Sequence, residues 1–143
     1  MRESYVLLDH TADAGAEISS PTKEGLVRAS TAALAEILGM GKSNTGNVMT
    51  AGLLLRGRGD TAEEQLVDLL NGWLALTMKR RVRPEVHGVS WDSGGIEAAV
   101  EIHEPDGSRT FSAEIKAVTY HTAAVIPPRH TGEPWAARWI VDL

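Results

Sequence analysis

The sequence contains no cysteine, so disulfide bonds cannot hold the fold and no thiol is present to act as a nucleophile or metal ligand. It also has no apolar run of about 18 residues, and no basic segment followed by an apolar one at its start. These absences argue against a membrane span and a secretory signal. We therefore expect a cytoplasmic protein that does not act at membranes.

Positive charge and catalytic motifs are scarce as well. The chain has 14 lysine and arginine residues against 19 acidic residues, which gives a formal net charge of −5. Because general nucleic-acid binders usually carry clustered basic residues, a role in RNA chemistry would require a partner that holds the RNA. The sequence also lacks a phosphate-binding glycine loop, a G-x-S-x-G serine and an H-E-x-x-H zinc motif. Spacing alone therefore reveals no catalytic constellation.

The length predicts a single domain, residues 1–143, that is large enough to bury a core. Apolar residues at three- and four-residue spacing predict two helices, at about 21–38 and 61–79. We expect Ser20 to cap the first helix, with Pro21 at its first position. A start that resembles a capping box, at Asp60, precedes the second helix.

Segments that favour β-structure lie before, between and after the helices. The predicted strands are Tyr5–Leu8, Ala16–Ser19, Val48–Arg58, Pro84–Trp91, Gly95–His103, a long run from Phe111 to Ile126, and Trp135–Leu143. Turn sequences between the later strands predict antiparallel hairpins. Since the strands alternate apolar and polar residues, we expect an α+β domain whose two helices cover one face of a mainly antiparallel sheet.

The segment Glu114–His121, with the sequence EIKAVTYH, is the most informative part of the chain, and we call it the signature segment. In its first half the alternation of a strand places Glu114 and Lys116 on the exposed face. Past Ala117 the alternation reverses. This predicts a bulge or bend near residues 117–119, because one extra residue changes the facing of all later side chains.

A second concentration of polar residues follows the first predicted strand. Asp9, His10 and Asp13 lie within five positions, between apolar residues and Gly15. Such a loop either directs its acidic groups at a ligand or forms an Asx turn, in which Asp9 or Asp13 accepts hydrogen bonds from nearby backbone N–H groups. The spacing matches no recognised metal motif and leaves both interpretations open.

The signature segment resembles the C-terminal motif of archeases, small proteins that activate RtcB-type RNA-splicing ligases. Three other segments match in the same order: Asp9–Asp13, the acidic leucine-rich helix that begins at Asp60 and contains Trp73, and Trp139–Leu143. The resemblance implies a non-enzymatic protein that promotes the GTP- and Mn²⁺-dependent guanylylation of the ligase and sustains its turnover in tRNA splicing or RNA repair. It also implies that RNA is contacted only through the ligase.

The resemblance further implies a site for one divalent cation. The implied ligands are Asp13, Asp142 and the main-chain oxygens of Leu143. Three further residues are expected around them: Asp9, His10 and His121. Hard oxygen ligands suit Ca²⁺ best, with Mg²⁺ or Mn²⁺ as alternatives. The resemblance thus predicts that Asp13 and Asp142 meet on adjacent strand ends and share the cation, which would remove the repulsion between their carboxylates. From the reversal of alternation near Ala117 we also expect Tyr120 and His121 to lie near the Asp13 loop.

Two other functions remain open. One is a metal-dependent hydrolase in which Asp9, Asp13, His121 and Asp142 hold a metal ion that activates water. The other is a metal-free scaffold or chaperone in which Asp13 and Asp142 only cap turns. Stimulation of a cognate ligase would separate the leading interpretation from both of these.

Overall fold

The computed structural model describes residues 2–9, 14–40, 48–104, 111 and 113–143. The described chain contains, in order, β1 (Ser4–Asp9), β2 (Ala14–Ser20), α1 (Lys23–Ile37), β3 (Val48–Gly57), α2 (Ala62–Arg80), β4 (Glu85–Asp92), β5 (Gly95–Glu104), β6 (Ala117–Ile126) and β7 (Trp135–Asp142). The predicted α+β class is confirmed, and both predicted helices are present.

The strands form two antiparallel sheets. One sheet has the order β1-β2-β7-β6, and the other has the order β3-β5-β4. Helix α1 packs mainly on β2 and β4, and α2 packs mainly on β3 and β6, so each helix contacts both sheets. The alternation of apolar residues predicted the buried faces but did not separate the two sheets. Of the helices in the described ranges, neither is both long enough and apolar enough to cross a membrane.

Two buried tryptophans join the helices to the strands through hydrogen bonds as well as packing. The indole N–H of Trp139 in β7 donates to Ser30 Oγ in α1 at 3.0 Å. The indole N–H of Trp91 in β4 donates to Gln65 Oε1 in α2 at 2.8 Å. Because an unpaired N–H in the core costs free energy, these bonds allow large rings to be buried where the two helices meet the sheets.

Polar side chains hold the first strand against α1. The hydroxyl of Tyr5 donates to Glu36 Oε2 at 2.5 Å, and this bond to a carboxylate raises the pKa of Tyr5 above its usual value. Arg28 lies 2.7 Å from a carboxylate oxygen of Glu3. The first pair joins β1, an edge strand, to α1, and the second joins the residue just before β1 to the same helix.

The first helix begins later than predicted. Thr22 is its N-cap, with φ of −125° and ψ of 156°, and its hydroxyl accepts a hydrogen bond from Gly25 N at 3.1 Å. The prediction that Ser20 caps the helix was wrong, because β2 continues to Ser20, which pairs with Trp135. Pro21 lies in the bend between strand and helix rather than at the first helical position.

The second helix begins one residue later than the predicted capping box, and its Glu64 carboxylate binds the amide before the N-cap rather than the amide of the N-cap itself. Thr61 is the N-cap and accepts a hydrogen bond from Glu64 N at 3.1 Å, while Glu64 Oε2 accepts one from Asp60 N at 3.3 Å. The apolar residues whose helical spacing predicted this helix form its buried face: Leu66, Leu69, Leu70, Trp73 and Leu74.

Replacing Thr22 with alanine removes the acceptor for the Gly25 amide. We expect T22A to lower the free energy of unfolding by about 1 kcal/mol, the usual contribution of an N-cap side chain. For a chain of this length such a loss corresponds to roughly 2–4 °C in melting temperature. Thr22→Ser keeps the acceptor and serves as the control. Equal melting of T22A and the unsubstituted chain would contradict the assignment.

Candidate functional site

One end of the four-stranded sheet brings together residues from all four of its strands. Asp9, the last residue of β1, pairs with Ala14, the first residue of β2. Ala14 also pairs with Val141 in β7, and Val141 pairs with Val118 in β6. We call these four residues the strand-end row. Paired residues lie about 5 Å apart, so the row joins segments that are distant in sequence.

Asp142 and Leu143 lie directly beyond this row. Asp142 pairs with Ala117, and its main-chain oxygen accepts a hydrogen bond from Lys116 N at 2.9 Å. Asp142 and Leu143 are both exposed. Among the described residues, the Asp142 carboxylate has neither a hydrogen bond nor an ion pair. Within the described part of the chain, solvent is therefore the only neighbour of this carboxylate that can hydrogen-bond to it.

Asp13, the other predicted side-chain ligand, and His10, predicted to lie beside it, are both outside the described residues. The meeting of Asp13 with Asp142 stays a prediction, and so does the approach of Tyr120 and His121 to the Asp13 loop. Within the described ranges, no group of three or more histidine and acidic side chains is spaced to hold a metal ion. A cation site at this end of the sheet therefore depends on groups from the loop that contains Asp13.

The first half of the signature segment is not a strand. β6 begins at Ala117, and residues 113–116 are not part of any sheet, so the strand predicted from Phe111 was wrong in this half. The exposed facing of Glu114 and Lys116 is confirmed. Alternating burial reports only which side chains face the core, and an extended segment without a partner strand satisfies the same pattern.

The predicted interruption of β6 is present, but it lies beyond the expected position. Pairing with β7 is regular up to Thr119 and resumes at Ala124 in a shifted register. Between them Thr122 has φ of 60°, which is an uncommon backbone conformation for a β-branched residue. Tyr120 and His121 lie in this bulge and are exposed. Among the described residues, neither side chain has a hydrogen-bond partner.

Two side chains of α2 hold β6 on either side of the bulge. Asn71 Nδ2 donates to Val118 O at 3.0 Å, and Asn71 Oδ1 accepts from Val118 N at 2.8 Å. Glu63 Oε2 accepts from Val125 N at 2.8 Å. The sequence did not predict that Asn71 and Glu63 hold β6. The only local signal is that Asn71 and Gly72, two poor helix formers, interrupt an otherwise leucine-rich helix.

Three other histidines lie near acidic residues elsewhere. His87 Nε2 and His103 Nε2 lie 2.8 and 3.3 Å from the same oxygen of Glu101, in the three-stranded sheet. His130 Nε2 lies 3.0 Å from Glu133, before β7. None of these residues belongs to the strand-end row, so none of them is placed to complete the predicted cation site beside Asp142.

Asn71 gives a direct test of how α2 positions the signature segment. We expect Asn71→Ala to lower the free energy of unfolding by about 1–3 kcal/mol, because both backbone groups of Val118 lose their partner. In amide hydrogen exchange the Val118 N–H should lose protection, whereas the Val125 N–H, which is held by Glu63, should keep it. Asn71→Asp keeps an acceptor for Val118 N and is the matched control. Unchanged protection of Val118 in N71A would contradict the bracing role.

Both the sequence and the fold are similar to those of known proteins. A model of the archease protein family matches residues 5–143. Among solved structures, the solution structure of Methanobacterium thermoautotrophicum protein 1598 is similar, with a TM-score of 0.70 and 18% identity. The likeness covers 97% of this chain and 98% of that one, and at this identity it concerns the fold alone. No curated protein matches the chain.

Proposed function

This chain belongs to the archease family, and from that premise we propose that it is a non-enzymatic, metal-binding activator of an RtcB-type RNA ligase. In this role it promotes guanylylation of the ligase and sustains multiple turnover in tRNA splicing or RNA repair in the cytoplasm. The ligase holds the RNA, and this division of labour agrees with the net charge of −5 on the activator.

The observation that carries the proposal is the convergence of the motif segments at the strand-end row. The start of β2 follows Asp13 directly, and Ala14 at that start lies across from Val141. The main chain at Lys116, in the signature segment, is hydrogen-bonded to Asp142. The motif segments, which show no catalytic pattern in the sequence, therefore lie next to each other at one exposed end of one sheet. A surface built from them suits contact with a partner.

The chemistry of the proposed ligands suits a divalent cation, because all of them are oxygen donors. The exposed Asp142 carboxylate, the main-chain oxygens of Leu143 and the Asp13 carboxylate would hold it, and three residues would lie around them: Asp9, His10 and His121. A set of carboxylate and main-chain oxygens suits Ca²⁺ best, with Mg²⁺ or Mn²⁺ as alternatives. When bound, the cation would offset the repulsion between the two carboxylates and offer open coordination positions to a group of the ligase.

The bulge of β6 would give the ligase a second contact, next to the cation. The side chain of Tyr120 is 53% exposed, and tyrosine is favoured at protein interfaces because it combines apolar area with a polar hydroxyl. Since Asn71 binds the strand just before the bulge, this surface is largely formed before the ligase arrives.

We predict that Asp13→Asn and Asp142→Asn each abolish stimulation of the ligase without unfolding the protein. In the absence of metal the variants should be as stable as the unsubstituted chain or slightly more stable, because a repulsive charge is removed. In the presence of Ca²⁺ the unsubstituted chain should melt at a higher temperature, since a ligand that binds only the folded state stabilises it. The variants should show no such rise.

The measurements are multiple-turnover ligation by the cognate ligase and melting curves with and without Ca²⁺. Glu17→Gln removes an exposed carboxylate from the middle of β2 and is the matched control, which should keep both stimulation and the Ca²⁺ effect. Full stimulation by both asparagine variants would refute the shared cation. Loss of stimulation only in parallel with unfolding would favour a turn-capping role for the two residues.

Tyr120 separates ligase contact from cation binding. We expect Tyr120→Ala to reduce ligase stimulation by about tenfold, as the loss of an exposed aromatic contact at an interface often does, while the Ca²⁺-dependent rise in melting temperature is retained. Ligation assays across a range of activator concentrations give the apparent affinity for the ligase. Unchanged apparent affinity would exclude the bulge from the contact surface.

A further inference from the structure

The three-stranded sheet ends in a strand whose outer edge is poorly protected. β3 is an edge strand of this sheet, and within the described part of the chain its other side pairs with no strand. Beyond a register shift near Met49, the pairing of β3 with β5 is regular through Gly57. Arg56 is the only charged residue in β3, and the strand contains no proline. Natural edge strands are normally blocked by charges, prolines, bulges or short length.

Apart from Arg56, the large exposed side chains described in β3 are apolar. Met49, Leu53 and Leu54 are 52%, 40% and 57% exposed. They line a shallow groove together with Ala99 of the neighbouring strand β5, and the ion pair of His87 and Glu101 forms the polar side of this groove. A group of large apolar side chains along an open strand edge is typical of an interaction surface, because burying it in an interface removes the cost of hydrating it.

Gly52 gives this edge a specific shape. A Cβ atom built at Gly52 would meet no other atom within 4 Å, so the space above this residue is open, and we call this open space the notch. Leu54, two residues further along, points to the same face of the strand. The edge therefore presents the exposed Leu54 next to the open space at Gly52, and a leucine from a paired strand would fit into that space.

We propose that β3 pairs antiparallel with β3 of a second copy of this chain, about a twofold axis at Leu53. In this register Leu54 of each copy lies opposite Gly52 of the other, so projection and notch match on both sides of the axis. The two copies of Arg56 lie at opposite ends of the paired segment, so they do not face each other. A twofold pairing needs only one self-complementary surface, and it joins the two three-stranded sheets into one of six strands.

The other three edges are less suited to this pairing. β4 carries Glu85, His87 and Asp92 and has a register shift of its own. β6 is interrupted by its bulge. β1 also exposes an apolar residue, Val6, but has only six residues. The strand-end row lies in the other sheet, so the second copy would leave the proposed cation site open.

The regular part of β3 is short, so we expect a reversible dimer. Stable specific interfaces bury about 1,200–2,000 Å² in total, and two paired strands with their outer side chains reach only the lower end of that range. The population of the dimer should therefore rise with protein concentration. Sedimentation equilibrium over a wide range of loading concentration measures this directly.

A single cysteine tests the register. The chain contains no cysteine, so any disulfide formed by Leu53→Cys must join two copies. Opposed residues of an antiparallel pair have Cα atoms about 4.5–5.5 Å apart, within the range that a disulfide spans. Under mild oxidation L53C should become a covalent dimer. The control Val6→Cys, on the exposed edge of β1, should stay monomeric. Equal cross-linking of both variants, or none of L53C, would overturn the proposal.

Two further substitutions test the notch and the apolar edge by sedimentation. Gly52→Val should leave the melting temperature of the monomer unchanged or higher, because valine favours strands and meets no neighbour there, yet it should raise the dissociation constant by about tenfold by filling the notch. Leu54→Lys should abolish the dimer, whereas Val6→Lys, an equal charge change on β1, should not. A dimer unaffected by G52V and L54K, or a purely monomeric unsubstituted chain, would refute pairing through β3.

Discussion

The pairing of β7 between β2 and β6 is the constraint on which the rest of the structure depends. β7 is the last strand in the sequence, yet it occupies an interior position in its sheet. Its centre is fixed by Trp139, which is fully buried and bonded to Ser30 of α1. The neighbouring strand must approach closely, since a Cβ atom at Gly15 would clash with the main-chain oxygen of Trp139. Only with β7 in this place do Asp142, Ala14 and the signature segment become neighbours.

Helix α2 contacts both sheets and interacts differently with the edge strand of each. At β6, the amide of Asn71 binds both backbone groups of Val118 and replaces the partner strand that this edge lacks. At β3, the same helix packs against the strand, but among the described residues no strand pairs with its outer edge. The edge of β6 is thereby satisfied within one chain, whereas the edge of β3 offers hydrogen-bonding groups to another chain. The contrast explains why the two edges suit different kinds of partner.

The proposed cation site and the proposed dimer edge lie in different sheets and rest on different physics. Directly beyond the strand-end row, the exposed Asp142 carboxylate, which has no hydrogen bond or ion pair to a described residue, would favour a cation. At β3, exposed leucines beside a glycine notch favour an apolar and self-complementary one. An experiment that refutes one proposal therefore leaves the other unaffected. The shared core, to which both helices contribute, would let the second copy stabilise the fold without covering the cation ligands.

The sequence by itself determined the elements whose causes are local. Leucines at helical spacing predicted the buried face of α2, and the reversal of alternation predicted an interruption in β6. The motifs identified the family. Only the tertiary structure decided that the strands form two sheets, that β6 begins at Ala117, and that Asn71 holds Val118. Spacing and alternation reflect which side chains are buried, whereas strand order depends on contacts between residues far apart in the chain, such as Ser30 and Trp139. No local pattern encodes those partners, because their pairing is favourable only when the whole core forms.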